Sequence, residues 1–299
     1  MIEITNLKKG FGSVVALDDV TLKIDRGCVF GMVGANGAGK STLLRLLSGV
    51  YYPDAGTITV DGEPVYDNPA VKEKIFFSPD VMRLVNAGAT LKRMADFYAA
   101  SYKGFSYEKF QKLADVFGLK PKMRVRAMSK GMTKQAQTIL ALSSGAEIIL
   151  FDETFDGLDP IARNVAKKLI YKEVIDNGTT VVVTSHSLRE LEDTCDQLAM
   201  LYKGKLVLSS DVEGLKTRLF KVQLAFAEEH EKEDFAGMEV LSFQKTGKVI
   251  NLIVRCDRES AEARLSEMKP VLMEVLPLSL EEVFTYEMNT LGYVFDEIV

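Results

Sequence analysis

The residues best suited to chemistry form a glycine-rich stretch that follows a short apolar run. Their spacing is G-x-x-x-x-G-K-[ST], which is the phosphate-binding P-loop motif. Glycines let the backbone curl so that successive N–H groups point at phosphate oxygens, and a following helix adds partial positive charge at its N-terminus. We therefore expect this stretch to bind a nucleoside triphosphate. The predicted contacts are Gly34, Ala35, Asn36, Gly37, Ala38, Gly39, Lys40, Ser41 and Thr42.

Two side chains of this stretch have specific predicted roles. Lys40 would reach the β and γ phosphates, and the Ser41 hydroxyl would ligate Mg²⁺. The alternative is a glycine-rich turn before an ordinary helix. The flanking segments favour the P-loop, because Cys28–Val33 is typical of a buried strand and Thr42–Leu47 of a helix start.

Two adjacent carboxylates give the second chemical signal. Asp152 and Glu153 follow Ile148–Phe151, a continuous apolar run that is typical of a central parallel strand. Ligands gather at the carboxyl edge of such a sheet, so Asp152 is predicted to hold Mg²⁺ and Glu153 to polarise an attacking water. An acidic pair that ends a strand is often only a solvated edge. A P-loop about 110 residues earlier favours the functional interpretation.

Two single side chains have more than one interpretation when only the residues are considered. His186 follows the β-branched strand Thr179–Ser185, where it is well placed to contact a γ-phosphate, although a lone histidine is usually structural. Phe11 lies in the turn Lys9–Gly12 and could stack on an adenine ring. A lone aromatic is also compatible with a core position, and from the residues alone the core interpretation is preferred.

Composition excludes several classes of protein. The chain has 299 residues and a net charge of −5, with 37 basic and 42 acidic side chains, so we expect no nucleic-acid partner. Three cysteines far apart and two histidines argue against a disulfide framework or a zinc site. The N-terminus lacks a secretion signal, and no uncharged apolar run approaches the ~20 residues of a transmembrane helix. We expect a cytoplasmic protein that reaches a membrane only through a partner.

The order of patterns predicts the fold class. We expect an α/β fold, with a P-loop NTPase core, an antiparallel β subdomain and a helical subdomain, plus a small C-terminal α+β domain. The predicted domains are 1–212, with a helical insert at about 88–145, and 213–299. Leu91, Met94, Ala95 and Tyr98 share one helical face within the insert. Ser279 with Glu282 three residues later is the pattern of a capping box.

The motifs, taken in order, resemble those of the ATP-binding subunit of ABC transporters over residues 1 to about 210. By this resemblance, Gly34–Thr42 is Walker A and Ser129–Gln135 is the signature. Walker B is Ile148–Glu153, the D-loop is Gly157–Asp159 and the switch histidine is His186. It implies ATP as the nucleotide and Glu153, His186 and Lys40 as the catalytic residues. It also places Phe11 at the adenine-stacking position, which reverses the interpretation of Phe11 as a core residue.

Two departures from the family pattern stand out. The signature is usually Leu-Ser-Gly-Gly-Gln, whereas here Met128, Lys130 and Met132 replace the leucine, the first glycine and the glutamine. Such variants resemble those of bacterial exporter-type ATPases, and the implied contacts to an ATP of a partner chain are Ser129, Lys130, Gly131 and Met132. The second departure is Asp80, which stands where the family has the Q-loop glutamine. A carboxylate can still ligate Mg²⁺, so Asp80 joins Ser41 and Asp152 as a predicted metal ligand.

The resemblance also implies an assembly. Two ATP-binding subunits, identical or closely homologous, would form a head-to-tail dimer with two ATPs sandwiched between them, and Asp159 of the D-loop would contribute. The dimer would power separate integral-membrane permease subunits, as part of an exporter. Lys130 and Lys134, at the start of the signature helix, are expected near a phosphate held across the interface. The alternative is a regulatory or non-transport ABC ATPase with weak hydrolysis.

Overall fold

The computed structural model describes residues 1–81, 88–212 and 219–290. The chain divides into a first unit, Met1–Ser209, and a second unit that begins at Ser210. The predicted boundary between residues 212 and 213 adjoins 213–218, which lie outside the described residues, so that boundary stays a prediction.

Strands and helices alternate along the first part of the chain. The strands are β1 (Ile2–Phe11), β2 (Val14–Ile24), β3 (Val29–Val33), β4 (Ala55–Val60), β5 (Glu63–Pro64), β6 (Ile75–Ser78), β7 (Ile148–Phe151), β8 (Thr180–Ser185), β9 (Gln197–Tyr202) and β10 (Lys205–Asp211). The helices are α1 (Lys40–Leu47), α2 (Pro69–Lys72), α3 (Leu91–Ser101), α4 (Tyr107–Val116), α5 (Lys130–Ser143), α6 (Pro160–Asn177) and α7 (Leu188–Leu191).

A central sheet carries the predicted chemistry. Its strand order is β10-β9-β3-β8-β7-β6, and the pairs from β9 to β6 are parallel. Every residue of β3, β7 and β8 is buried, which explains why their sequences are nearly continuous apolar runs. Because these three strands are parallel neighbours, the P-loop, Asp152 and His186 all follow strands that end at one edge of the sheet.

The N-terminal part of the chain also forms a second, antiparallel sheet. Its order is β2-β1-β4-β5, and β1 pairs antiparallel with both β2 and β4. Its inward side chains, such as Ile4 and Leu22, belong to the same hydrophobic cluster as Leu43 and Leu44 of α1. The P-loop helix is therefore held by both sheets, and the predicted antiparallel subdomain is confirmed.

Helices α3, α4 and α5 follow β6 and form the predicted helical subdomain. The face of α3 made by Leu91, Met94, Ala95 and Tyr98 is buried, as its spacing predicts. Helix α5 packs against both α3 and α4. Among the described residues, no helix combines the length and the apolar character that crossing a bilayer requires.

The second unit is the predicted antiparallel α+β domain. Its elements are β11 (Leu219–Ala225), β12 (Glu239–Thr246), β13 (Val249–Arg255), α8 (Arg258–Glu267), β14 (Leu272–Leu276) and α9 (Leu280–Thr290). The strands pair in the order β12-β13-β11-β14. The capping box is confirmed, because Ser279 N–H donates to Glu282 Oε2 over 3.0 Å and Glu282 N–H donates to Ser279 Oγ over 3.2 Å.

Candidate active site

The P-loop connects β3 to α1 through a tight backbone turn. Gly39 precedes the first helical residue with φ 108°, which is in the left-handed region. A Cβ at Gly39 would lie 2.6 Å from the carbonyl oxygen of Ala16, so a larger residue cannot fit without movement of the backbone. The first N–H groups of α1 have no acceptor within the helix. The loop therefore presents donors to an anion, as the sequence predicts.

Lys40 and Glu153 form the charged centre of the site. Lys40 is 5% exposed, and its Nζ donates to the carbonyl oxygens of Gly34 over 2.5 Å and Ala35 over 3.3 Å. The same Nζ lies 3.3 Å from Glu153 Oε1. The structure thus joins the P-loop lysine to the carboxylate that follows β7, a residue 113 positions later in the sequence. A buried ammonium needs this kind of counter-charge and hydrogen bonding.

Asp152 fits the predicted metal site. Its Oδ1 accepts hydrogen bonds from Ser41 Oγ and from Thr184 Oγ1, each over 2.9 Å. Its Oδ2 is buried and has no hydrogen-bond partner among the described residues. Buried carboxylate oxygens normally have partners, and carboxylate and hydroxyl oxygens are ligands that Mg²⁺ accepts. Asp152 and Ser41 therefore fit the ion.

The number of protein ligands also suits magnesium. Mg²⁺ commonly binds one or two carboxylates and completes its shell with waters and substrate phosphates. A site built from Asp152 and the Ser41 hydroxyl matches that pattern.

Glu153 is aimed by an unusual backbone conformation. Its φ is 51°, a left-handed value that costs energy for a residue with a side chain. Its N–H donates to Thr184 Oγ1 over 3.0 Å, and its Oε2 lies 3.0 Å from His186 Nδ1. The carboxylate is therefore held between His186 and Lys40. In this position the Glu153 carboxylate can polarise a water beside a phosphate, and His186 and Lys40 keep the carboxylate oriented.

Thr184 is the functional residue that the sequence reasoning missed. It is fully buried in β8, between the strands that lead to the P-loop and to Asp152, and it binds both Asp152 and Glu153. In the sequence it looks like one more β-branched residue of a buried strand. The usable signal is that a hydroxyl in such a strand must find a hydrogen-bond partner.

The signature residues begin α5, and this start contacts the D-loop. Ser129 is the N-cap and accepts the N–H of Met132 over 3.2 Å. Lys130 Nζ lies 2.6 Å from Asp156 Oδ2, and the hydrogen bond from Lys130 lowers the pKa of Asp156. A Cβ at Gly131 would lie 2.7 Å from the Gly157 carbonyl oxygen, so glycine permits this close approach. Ser129 and Lys130 are both exposed.

Lys134 does not lie where the sequence reasoning expects it. The side chain is 2% exposed, and its Nζ donates to Asp80 Oδ1 over 2.7 Å. It faces the interior of its own chain, so the expectation that Lys134 stands near a phosphate across an interface is wrong. The sequence pattern of the signature helix could not show this contact, because Asp80 is 54 residues away. The role of Asp80 as a metal ligand stays a prediction.

Phe11 and Asp159 complete the predicted set. Phe11 is 44% exposed and makes an edge-to-face contact with Tyr51 at 5.3 Å between ring centroids. It is not a core residue, which leaves its ring accessible for stacking. Asp159 caps α6, since its Oδ1 accepts the N–H groups of Ile161 over 3.0 Å and Ala162 over 2.9 Å. Its role in the D-loop stays a prediction.

Comparisons with known proteins now decide the family. Residues 17–156 match the family model described as ABC transporter. The ABC transporter ATP-binding protein YtrB of Bacillus subtilis is 30% identical over 284 residues, which cover 95% of this chain and 97% of YtrB. The chain belongs to the ABC transporter ATP-binding proteins. It is the ATP-binding subunit of an ABC transporter and an ATPase.

Solved structures agree with this assignment. A structure of an ATP-binding subunit of an ABC transporter superposes with a TM-score of 0.65 at 25% identity, covering 72% of this chain and 92% of that one. The structure of a dimeric bacterial ABC transporter cassette superposes with a TM-score of 0.64 at 22% identity, covering 71% of this chain and 99% of the cassette. This chain therefore has the P-loop fold of ABC transporter ATP-binding cassettes.

Proposed function

We propose that this ATP-binding subunit works as a head-to-tail dimer, in which each ATP lies between the P-loop of one chain and the signature of another. The observation that carries the proposal is that Ser129 and Lys130 are exposed at the N-terminus of α5, where the helix offers its first N–H groups to an anion. The similar bacterial cassette is described as dimeric, which supports the same assembly here.

Each chain would supply a complete set of catalytic groups on its own P-loop side. Ser41 and Asp152 would hold Mg²⁺, and the ion when bound would neutralise negative charge on the nucleotide. Lys40 binds the β and γ phosphates, and Glu153 accepts the proton of the attacking water. His186 orients the Glu153 carboxylate and contacts the γ-phosphate. Positioning and electrostatic stabilisation are the main catalytic tasks in phosphoryl transfer, and the hydrogen bonds and ion pairs that orient these side chains suit those tasks.

Membrane permease subunits are the proposed partners, and the chain would lie at the cytoplasmic face of the membrane. A groove between α2 and α3 is lined by Lys72, Tyr98 and Tyr102, with Phe97 57% exposed at its edge. Exposed aromatic side chains are enriched at protein-binding surfaces. We place permease contact on this helical subdomain. The net charge of −5 favours a protein partner over a nucleic acid.

Outward transport is the proposed direction, and the exporter-type signature with Lys130 and Met132 supports it. The test is to isolate the permease with a tagged chain and rebuild the complex in liposomes with the ATPase outside. Any transported compound that stimulates ATP turnover should accumulate in the lumen if the complex is an exporter. Loss of preloaded compound from the lumen would contradict the proposed direction.

The dimer is tested by ATP-driven association of the E153Q variant, which retains ATP because hydrolysis is slowed. We expect light scattering to show a dimer with ATP and a monomer without it, and S129A in the same background to weaken association. S106A is the matched control, because Ser106 also caps a helix, accepting the Lys109 N–H over 3.1 Å, but lies outside the signature. Equal association of S129A and S106A would contradict the cross-chain role of Ser129.

A further inference from the structure

Helix α5 is tied to the carboxyl edge of the central sheet by two side chains one turn apart. Lys134 Nζ donates to Asp80 Oδ1 over 2.7 Å, to the Asp80 carbonyl oxygen over 3.0 Å and to the Asp152 carbonyl oxygen over 3.3 Å. Gln137 Nε2 donates to the Pro79 carbonyl oxygen over 2.7 Å. The segment after β6 and the segment after β7 are thus both held by the helix that Ser129 begins.

The two charges of this pair differ in their surroundings. The Lys134 side chain is 2% exposed, whereas the Asp80 side chain is 43% exposed. An ammonium at that depth needs a counter-charge, because losing one leaves an uncompensated buried charge. A half-exposed carboxylate can be solvated by water. The dependence is therefore one-sided, since Lys134 needs Asp80 more than Asp80 needs Lys134.

We propose that Lys134 is a positioning residue that fixes the signature relative to the magnesium site of its own chain, and that Asp80 is its counter-ion. Lys134 contacts the backbone of Asp152, whose carboxylate fits Mg²⁺, and it lies five residues after Ser129 on one rigid helix. The proposal rests on the proposed cross-chain role of Ser129. It also assigns Asp80 Oδ1 to the ammonium, in place of the metal.

This pair differs from the neighbouring pair of Lys130 and Asp156. Both side chains of that pair are more than a third exposed, so solvent and salt can compete for them. Lys134 has three protein acceptors for its three N–H donors and is closed off from solvent. Lys130 can exchange partners when a second chain approaches, whereas Lys134 keeps its contacts.

The experiment is a double-mutant cycle of D80N and K134M in the E153Q background. Three quantities are measured for each protein: the thermal midpoint, the binding of a fluorescent ATP analogue to the monomer, and ATP-driven dimerisation. Methionine has nearly the length of lysine but no charge, so it can occupy the buried position of the Lys134 side chain. We expect D80N to lower the midpoint more than K134M does, and the double variant to recover most of the loss.

Dimerisation carries the functional half of the proposal. Each single variant should weaken ATP-driven dimerisation by roughly 10-fold, while the double variant should recover part of it, as expected for coupled neighbours. Binding of the analogue to the monomer should not change, because the P-loop is intact. The control cycle is D176N with K172M, an exposed pair at 2.5 Å on α6, and should show only weak coupling in the thermal midpoint and none in dimerisation. K134R, which keeps the charge, should be milder than K134M.

Two results would overturn the proposal. If D80N changes the thermal midpoint and dimerisation by the same amount in the K134M background as in the E153Q parent, Asp80 acts independently of Lys134, as a metal ligand would. If K134M lowers the thermal midpoint but leaves dimerisation unchanged, Lys134 serves stability alone. Failure of the proposed dimer would be seen separately, because the E153Q parent would then not associate with ATP; the thermal cycle would still test the counter-ion role.

Discussion

Thr184 Oγ1 donates a hydrogen bond to Asp152 Oδ1 over 2.9 Å, which joins the middle strand of the site to the carboxylate that we propose as a magnesium ligand. The same oxygen accepts the N–H of Glu153 over 3.0 Å. One buried hydroxyl therefore orients the two carboxylates to which different tasks are assigned. It also supports the left-handed backbone at Glu153, which has φ 51°.

Replacing Thr184 by valine should damage turnover more than binding. T184V keeps the shape of the side chain but removes both hydrogen bonds, so we expect a loss of about 1–3 kcal/mol in the free energy of unfolding. Because Asp152 and Glu153 would shift, kcat should fall roughly 10-fold to 100-fold. T184S keeps the hydroxyl and is the control. Wild-type turnover by T184V would show that this hydroxyl does not position the carboxylates.

Alanine at Gly39 should abolish nucleotide binding. The new Cβ would lie 2.6 Å from the Ala16 carbonyl oxygen, and φ is 108°, so the loop must move. G62A is the control, because Gly62 also has a positive φ, 84°, but a Cβ there meets nothing within 4 Å. We expect G62A to cost about 1 kcal/mol in stability and to bind ATP normally. Titration with a fluorescent ATP analogue measures binding by both variants, and tight binding by G39A would contradict the prediction.

The pair of Lys130 and Asp156 should persist over the physiological pH range. The hydrogen bond from Lys130 lowers the pKa of Asp156 in the folded chain. A lowered carboxyl pKa adds stability above the unfolded value of about 3.9, and this stability is lost only as the pH falls through the lower folded pKa. The stability difference between wild type and D156N should therefore be small and constant from about pH 5 to 8. Chemical denaturation measures it, and a difference that changes within that range would contradict the assignment.

The sequence predicted the parts of the site that depend on local pattern. Gly39, Lys40 and Ser41 belong to one motif, and Asp152 with Glu153 ends an apolar run, so their place at a strand edge follows from the residue pattern alone. The fold class followed from the same strands and helices and is confirmed. Local patterns also predicted the buried face of α3 and the capping box before α9.

What the sequence did not show depends on contacts between distant segments. Thr184 binds Asp152 from 32 residues away, and Lys134 binds Asp80 from 54 residues away. In each pair the two residues belong to different segments of the fold, so no local sequence pattern connects them. Lysines in the first turns of α5 oppose the helix dipole, but this does not show which groups they bind. Only the packed structure shows that their partners are carboxylates of the same chain.

The assignment of Glu153 as the residue that activates water is tested most directly by steady-state ATP turnover. Wild type and E153Q should be compared at saturating ATP and Mg²⁺, at a protein concentration that permits dimerisation. We predict that kcat of E153Q falls by about 100-fold or more, because the amide cannot accept the proton of the attacking water. Binding of ATP should stay near the wild-type value. Equal turnover by the two proteins would contradict the catalytic role of Glu153 and, with it, the mechanism proposed for this site.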